Sequence, residues 1–134
     1  MGMPVAIGAV LAILLFYLAG LIGLGRERGF YPTVLIVIAS YYALFAVMAG
    51  STRALAIETV CMAVFAGLAI AGFKYARWLT IAGLVAHGVF DWGHGALVAN
   101  PGVPGFWPPF CMAFDGVLGG CLAWSMLRGR RQLM

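Results

Sequence analysis

Five runs with little or no charge divide the chain: Pro4 to Gly25, Phe30 to Gly50, Ala54 to Phe73, Trp78 to Leu97 and Phe110 to Leu127. Each is close to the roughly 20 apolar residues that cross a hydrocarbon core as a helix. The breaks are Arg26-Glu27-Arg28-Gly29, Ser51-Thr52-Arg53, Lys74-Tyr75-Ala76-Arg77, the Pro/Gly-rich stretch Asn100 to Pro109, and the tail from Arg128. All but the fourth are very short, so consecutive runs are expected to pair as antiparallel neighbours in an up-and-down bundle. The pattern predicts an all-α fold: a single transmembrane domain over residues 1–134, built from five transmembrane helices at about 4–25, 30–50, 54–73, 78–97 and 110–127. Pro32 sits where a helix start tolerates proline.

Composition agrees with the pattern and excludes an ordinary soluble globule. Hydrophobic residues make up 64% and charged residues 9%, with a mean hydropathy of +1.04. Five spans leave little chain for an extramembrane domain. The first run is too long for the apolar core of a signal peptide, has no basic segment before it, and leads into Arg26 instead of a small-residue cleavage site. It is expected to be a retained helix in contact with the lipid bilayer.

The charge changes the picture by its distribution. The net charge is +4, yet the eight basic residues are scattered among the breaks, so a nucleic-acid surface is not expected. With five spans, one side of the membrane receives Arg26, Arg28, Lys74, Arg77, Arg128, Arg130 and Arg131, and the other only Arg53. This asymmetry predicts an outside N-terminus, a cytoplasmic C-terminus and a multi-pass place in a membrane. Trp78 and Trp124 then fall near the inner interface, Phe106 and Trp107 near the outer one. Small residues at helix-packing spacing, Ala63, Gly67 and Ala71, and Gly116 and Gly120, predict close helix contacts.

Only four acidic residues exist, and three of them, Glu58, Asp91 and Asp115, lie inside spans, as do both histidines, His87 and His94. Ionisable groups in a bilayer are costly and by default face the bundle interior and serve a function. Counting about 1.5 Å per residue from the outer ends puts His94, Glu58, Asp115 and Asp91 about 5–9 Å deep and His87 about 15 Å deep. His87, Asp91 and His94 are spaced i, i+4, i+7 and share one helical face. Cys111 and Asp115 are i, i+4, and Glu58 and Cys61 are i, i+3. No Lys or Arg lies within a span, and only Arg53 can approach Glu58, so the acids need protons or a cation.

Imidazole and carboxylate at helical spacing also suit zinc, iron or manganese. His87, Asp91, His94 and Asp115 are therefore candidate ligands of a divalent metal ion, with Glu58 and Asp115 as candidate catalytic carboxylates. The plainer alternative is that His87 and Asp91 only hydrogen-bond and hold helices together. Cys61, Cys111 and Cys121 have no CxxC spacing and are odd in number; small buried residues explain them better than soft ligands do, and Cys121 lies too far inward to join the layer. Tyr41 and Tyr42 read as packing residues with a hydrogen-bonded hydroxyl. The stiff segment Asn100 to Pro109 reads equally as a lid over the layer or a headgroup anchor.

The run His87-Gly88-Val89-Phe90-Asp91-Trp92-Gly93-His94, followed by Asn100-Pro101-Gly102-Val103-Pro104-Gly105-Phe106-Trp107-Pro108-Pro109-Phe110-Cys111 and by Asp115, resembles a family of small bacterial integral membrane proteins of unknown function. The likeness covers about the last third of the chain and implies a bacterial protein, multi-pass in the cytoplasmic (inner) membrane, without implying an activity. The five spans and Trp/Pro-rich outer turn are loosely similar to tryptophan-rich sensory proteins. The histidine with intramembrane carboxylates is loosely similar to sterol isomerase-like membrane proteins.

Three functions remain open on these grounds. One is a metal-dependent enzyme acting on a lipophilic small molecule, with the candidate ligands leaving one metal position free. Another is a proton- or metal-ion-coupled carrier; the absence of an internal repeat and the small size would then require a homo-oligomer. The last is an accessory subunit of a membrane complex.

Overall fold

The connection between the second and third helices shows how local chemistry builds this chain. Gly50, at φ 70°, takes the left-handed conformation that closes a helix, and its N–H reaches Val47 O at 3.0 Å while Ser51 N–H reaches Ala46 O at 3.1 Å. Ser51 then starts the next helix, its hydroxyl accepting from Ala54 N at 3.2 Å. Two residues thus end one helix and cap another, and the chain reverses.

The computed structural model describes residues 2–133, with side chains from residue 2 to residue 129. Arg130 and Arg131, part of the basic count, lie outside the described side chains. The described residues form α1 (Gly2–Ile22), a short 3-10 turn (Leu24–Arg26), α2 (Phe30–Met48), α3 (Thr52–Lys74), α4 (Arg77–Leu97) and α5 (Trp107–Leu133), with no strand among them. Helices α1, α2, α3 and α5 are long and apolar enough to cross a membrane. The 21-residue α4 matches them in length but is diluted by its polar residues. Those residues are turned inward: Thr80, His87, Asp91 and His94 are all buried, whereas Val85, Val89, Trp92 and Leu97 stand on the exposed face. Averaged hydropathy hides this because apolar groups face out and polar groups face in.

The fifth helix begins three residues before the expected Phe110, with Pro108 and Pro109 in its first turn, where their missing N–H groups break no helical bond. This draws Trp107 onto the helix, where its ring packs on Tyr41 and Phe45 with centroids 4.9 and 5.1 Å away.

Packing order differs from simple neighbour pairing. α2 packs on α3, α3 on α4 and α4 on α5, as expected, but the main partner of α1 is α5. Gly8 permits this approach: a Cβ there would run into the carbonyl oxygen of Phe110. The small residues singled out by spacing do not make the contacts. Gly67, Gly116 and Gly120 face open space and Ala63 is exposed, while Gly8, Gly72, Gly83, Gly88, Gly102 and Gly119 sit close to a neighbouring segment. Spacing places small residues in a row without saying which way the row faces.

α4 therefore lies between α3 and α5 and also touches α2. Its polar face is surrounded by the three helices that carry Tyr42, Glu58 and Asp115.

Candidate metal centre

α4 supplies the backbone of the site. His87 and Asp91, one helical turn apart, and His94, a further turn on, line its inward face at 1%, 0% and 2% exposure. Asp115 and Cys111, one turn apart on α5, meet the lower part of this face, and both are buried. Gly88 leaves room for that meeting, since a Cβ there would already touch Met112 O at 3.4 Å and Asp115 Cβ at 3.5 Å.

The result is one compact cluster. His87 Nδ1 lies 2.7 Å from Asp115 Oδ2 and 3.3 Å from Asp91 Oδ2. The Cys111 thiol is 3.6 and 3.8 Å from the two Asp115 oxygens. One ligand atom from each of His87, Asp91, Cys111 and Asp115 falls within 4.8 Å of every other. Asp91 and Asp115 thus meet across adjacent helices, bridged by one imidazole nitrogen.

Glu58 and His94 form a second polar group. His94 Nε2 is 2.7 Å from Glu58 Oε2, and the Asn100 amide donates to the same oxygen at 2.8 Å and to Tyr42 O at 3.0 Å. Tyr42 separates the two groups. Its ring lies flat on the His94 imidazole, with centroids 3.8 Å apart and planes 9° apart, and its hydroxyl donates to Asp91 Oδ1 at 2.6 Å. His94 thus shares the face of His87 and Asp91 but reaches toward α3, while His87 reaches toward α5. Phe65 and Phe90 close the apolar surround, Phe65 meeting the His87 ring edge-on at 4.7 Å.

Arg53, the one cation that spacing allowed near Glu58, is exposed, and among the described residues no Lys or Arg pairs with a buried acid. Glu58, Asp91 and Asp115 carry at most three negative charges and the two imidazoles at most two positive ones. Neutrality in a dry interior therefore requires at least one further proton or cation. Two acceptors point to where it is lacking: Asp91 Oδ2 and Glu58 Oε1 are buried without a hydrogen-bond partner.

The donor set fits a metal. Tetrahedral zinc with ligand bonds of about 2.0–2.3 Å separates its ligands by about 3.3–3.8 Å. The Asp91–His87 and Cys111–Asp115 separations already fall in that range, while the 2.7 Å His87–Asp115 contact lies below it and must open. The longest separation in the set, within 4.8 Å, requires the side chains to close in by about 1 Å around an ion.

Three contributors were not evident beforehand. Cys111 read as packing, yet it stands in the cluster, and its i, i+4 relation to Asp115 was the available sign. Tyr42 read as packing with a bonded hydroxyl, which is what it does, but its role in dividing the two groups depends on α2 lying against α4. Asn100 is the chain's single asparagine, placed in a segment whose purpose was open. It makes that segment a cover, with Gly102 set so close to Phe45 O that a Cβ would not fit.

No family model, curated protein or solved structure matches this chain.

Proposed function

We propose that this chain is an integral membrane protein that binds one divalent transition metal ion through His87, Asp91, Asp115 and Cys111, and that the metal acts on a lipophilic substrate. The observation that carries the reading is the convergence of four buried ligand atoms within 4.8 Å, one of them a carboxylate oxygen with no hydrogen-bond partner. A nitrogen, oxygen and sulfur donor set favours zinc, with iron and manganese as the other candidates. A metal held there supplies a Lewis acid in a water-poor setting. Glu58 with His94 forms a separate pair suited to holding a proton beyond Tyr42. The basic residues at the opposite end of the bundle support a placement with that end in the cytoplasm.

A second reading, a proton carrier without metal, is favoured by the 2.7 Å His87–Asp115 contact, which already pairs one imidazole with one acid. Metal analysis of the purified protein separates the two. The metal reading expects about one ion per chain, lost in His87→Ala and Asp115→Asn and kept in His94→Ala. Absence of metal after purification and after incubation with zinc, iron or manganese salts would overturn it in favour of the proton site.

A further inference from the structure

At the end of the bundle that carries the basic connections, α1 stops at Gly23, whose φ of 90° is the left-handed conformation open to glycine. The 3-10 turn that follows, with Arg26 N–H reaching Gly23 O at 3.2 Å, brings Arg26 to a cavity of about 340 Å³ between α1 and α5. The two helices meet closely at Gly8, near the other end, but here Gly20 lines the cavity with no neighbour within 4 Å of the place a Cβ would take.

The polar wall is Arg26, Tyr31, Arg77 and Ser125. Among the described residues Arg26 and Arg77 make no ion pair and no side-chain hydrogen bond, whereas the nearby Arg28 is engaged by Lys74 O at 3.1 Å and by the Phe73 ring. Glu27, the one acid at this end, lines a smaller adjoining cavity of about 180 Å³ and bridges to neither arginine. Tyr31 borders both cavities, is 5% exposed, and makes no hydrogen bond among the described residues. Helical side chains lean toward the N-terminus of their helix, so at the first turn of α2 its hydroxyl is aimed at the basic end. The remaining wall is apolar: Phe16 and Leu122 line it, and Leu21, 82% exposed, leads from it onto the outer surface of α1.

We infer that this cavity holds the phosphate of an anionic phospholipid, its oxygens accepting from Arg26, Arg77 and the Tyr31 hydroxyl and its acyl chains leaving past Phe16 and Leu21. Two unpaired guanidinium groups and a hydroxyl form a donor set that suits a phosphate. The cavity lies at the ends of spanning helices, at the depth of headgroups, and its apolar wall runs out to the bilayer, which suits a phosphate that carries tails. A zwitterionic head would bring an ammonium beside the arginines, so an anionic head is favoured. Arg77 and His87 are separated by about 15 Å of α4, and the lipid site needs no metal.

Native mass spectrometry of the full chain in detergent micelles, titrated with dioleoyl phosphatidylglycerol, tests the inference. About one such lipid per chain is expected, bound about tenfold more tightly than dioleoyl phosphatidylcholine. Arg26→Gln and Arg77→Gln should each weaken it about fivefold through the lost charge, and Tyr31→Phe about fivefold through the lost hydrogen bond. Gly20→Leu fills the cavity from a position without close neighbours, so it should weaken binding even if an arginine variant fails to fold. Arg128→Gln, at the same end but with its guanidinium over the Trp124 ring, should leave binding unchanged, as should His87→Ala. Equal binding of the two lipids, or full binding by Gly20→Leu, would overturn the inference. A loss in Arg128→Gln as large as in Arg77→Gln would replace the site by a diffuse basic surface and overturn it as well. Inorganic phosphate binding as tightly as the lipid would mean a free-anion site and overturn the lipid assignment.

Discussion

The Tyr42 hydroxyl donates to Asp91 Oδ1 at 2.6 Å while the same ring lies 3.8 Å from the His94 imidazole, so one side chain of α2 holds a ligand candidate with its tip and divides the polar interior with its face. Asp91 has its other oxygen without a hydrogen-bond partner. Removing the hydroxyl in Tyr42→Phe leaves both Asp91 oxygens in that condition. The expected loss is about 0.6–1.7 kcal/mol, the range for hydrogen bonds between membrane helices. Reversible unfolding in mixed detergent micelles measures it, and an unchanged midpoint would show that the hydroxyl contributes no net stability.

Cys111 and Cys121 make a paired test of ligation. Only Cys111 touches the cluster, so Cys111→Ser should weaken zinc binding and, in cobalt-substituted protein, abolish the thiolate-to-metal absorption band. Cys121→Ser should preserve both. A band that survives Cys111→Ser would exclude its sulfur as a ligand.

Asn100 ties the connection between α4 and α5 to Glu58 and to the Tyr42 carbonyl. Asn100→Ala should cost about 1–2 kcal/mol and speed amide hydrogen exchange across residues 98–106, with metal content kept. Exchange unchanged from the parent protein would mean that the prolines alone hold the cover in place.

Gly8 and Gly20 separate packing from propensity on a single helix. A side chain at Gly8 meets the α5 backbone, whereas Gly20 has nothing within 4 Å. Gly8→Val should destabilise by about 1–3 kcal/mol through overpacking, and Gly20→Val by no more than about 0.5 kcal/mol. Equal effects would show that α1 and α5 do not pack as described.

Reporter fusions after Tyr75 and after Val103 should report opposite sides of the membrane, with Tyr75 in the cytoplasm, following the seven-to-one split of basic residues. Val103 in the cytoplasm would invert the proposed orientation.

The sequence by itself determined the elements and the polar layer. Long apolar runs can satisfy their backbone groups in lipid only as helices, and charge in that setting is so costly that Glu58, His87, Asp91, His94 and Asp115 announce an interior site. The i, i+4, i+7 spacing placed His87, Asp91 and His94 on one face because helical geometry is local. Tertiary structure decided everything that depends on which helix stands opposite. It set α1 against α5 through Gly8, turned His87 toward Asp115 and His94 toward Glu58, and put the Tyr42 ring between them. It also brought Cys111 into the cluster and Asn100 over Glu58. A helical face spans enough arc to meet two neighbours, so periodicity names the residues that face inward, and only the packing order assigns each one its partner.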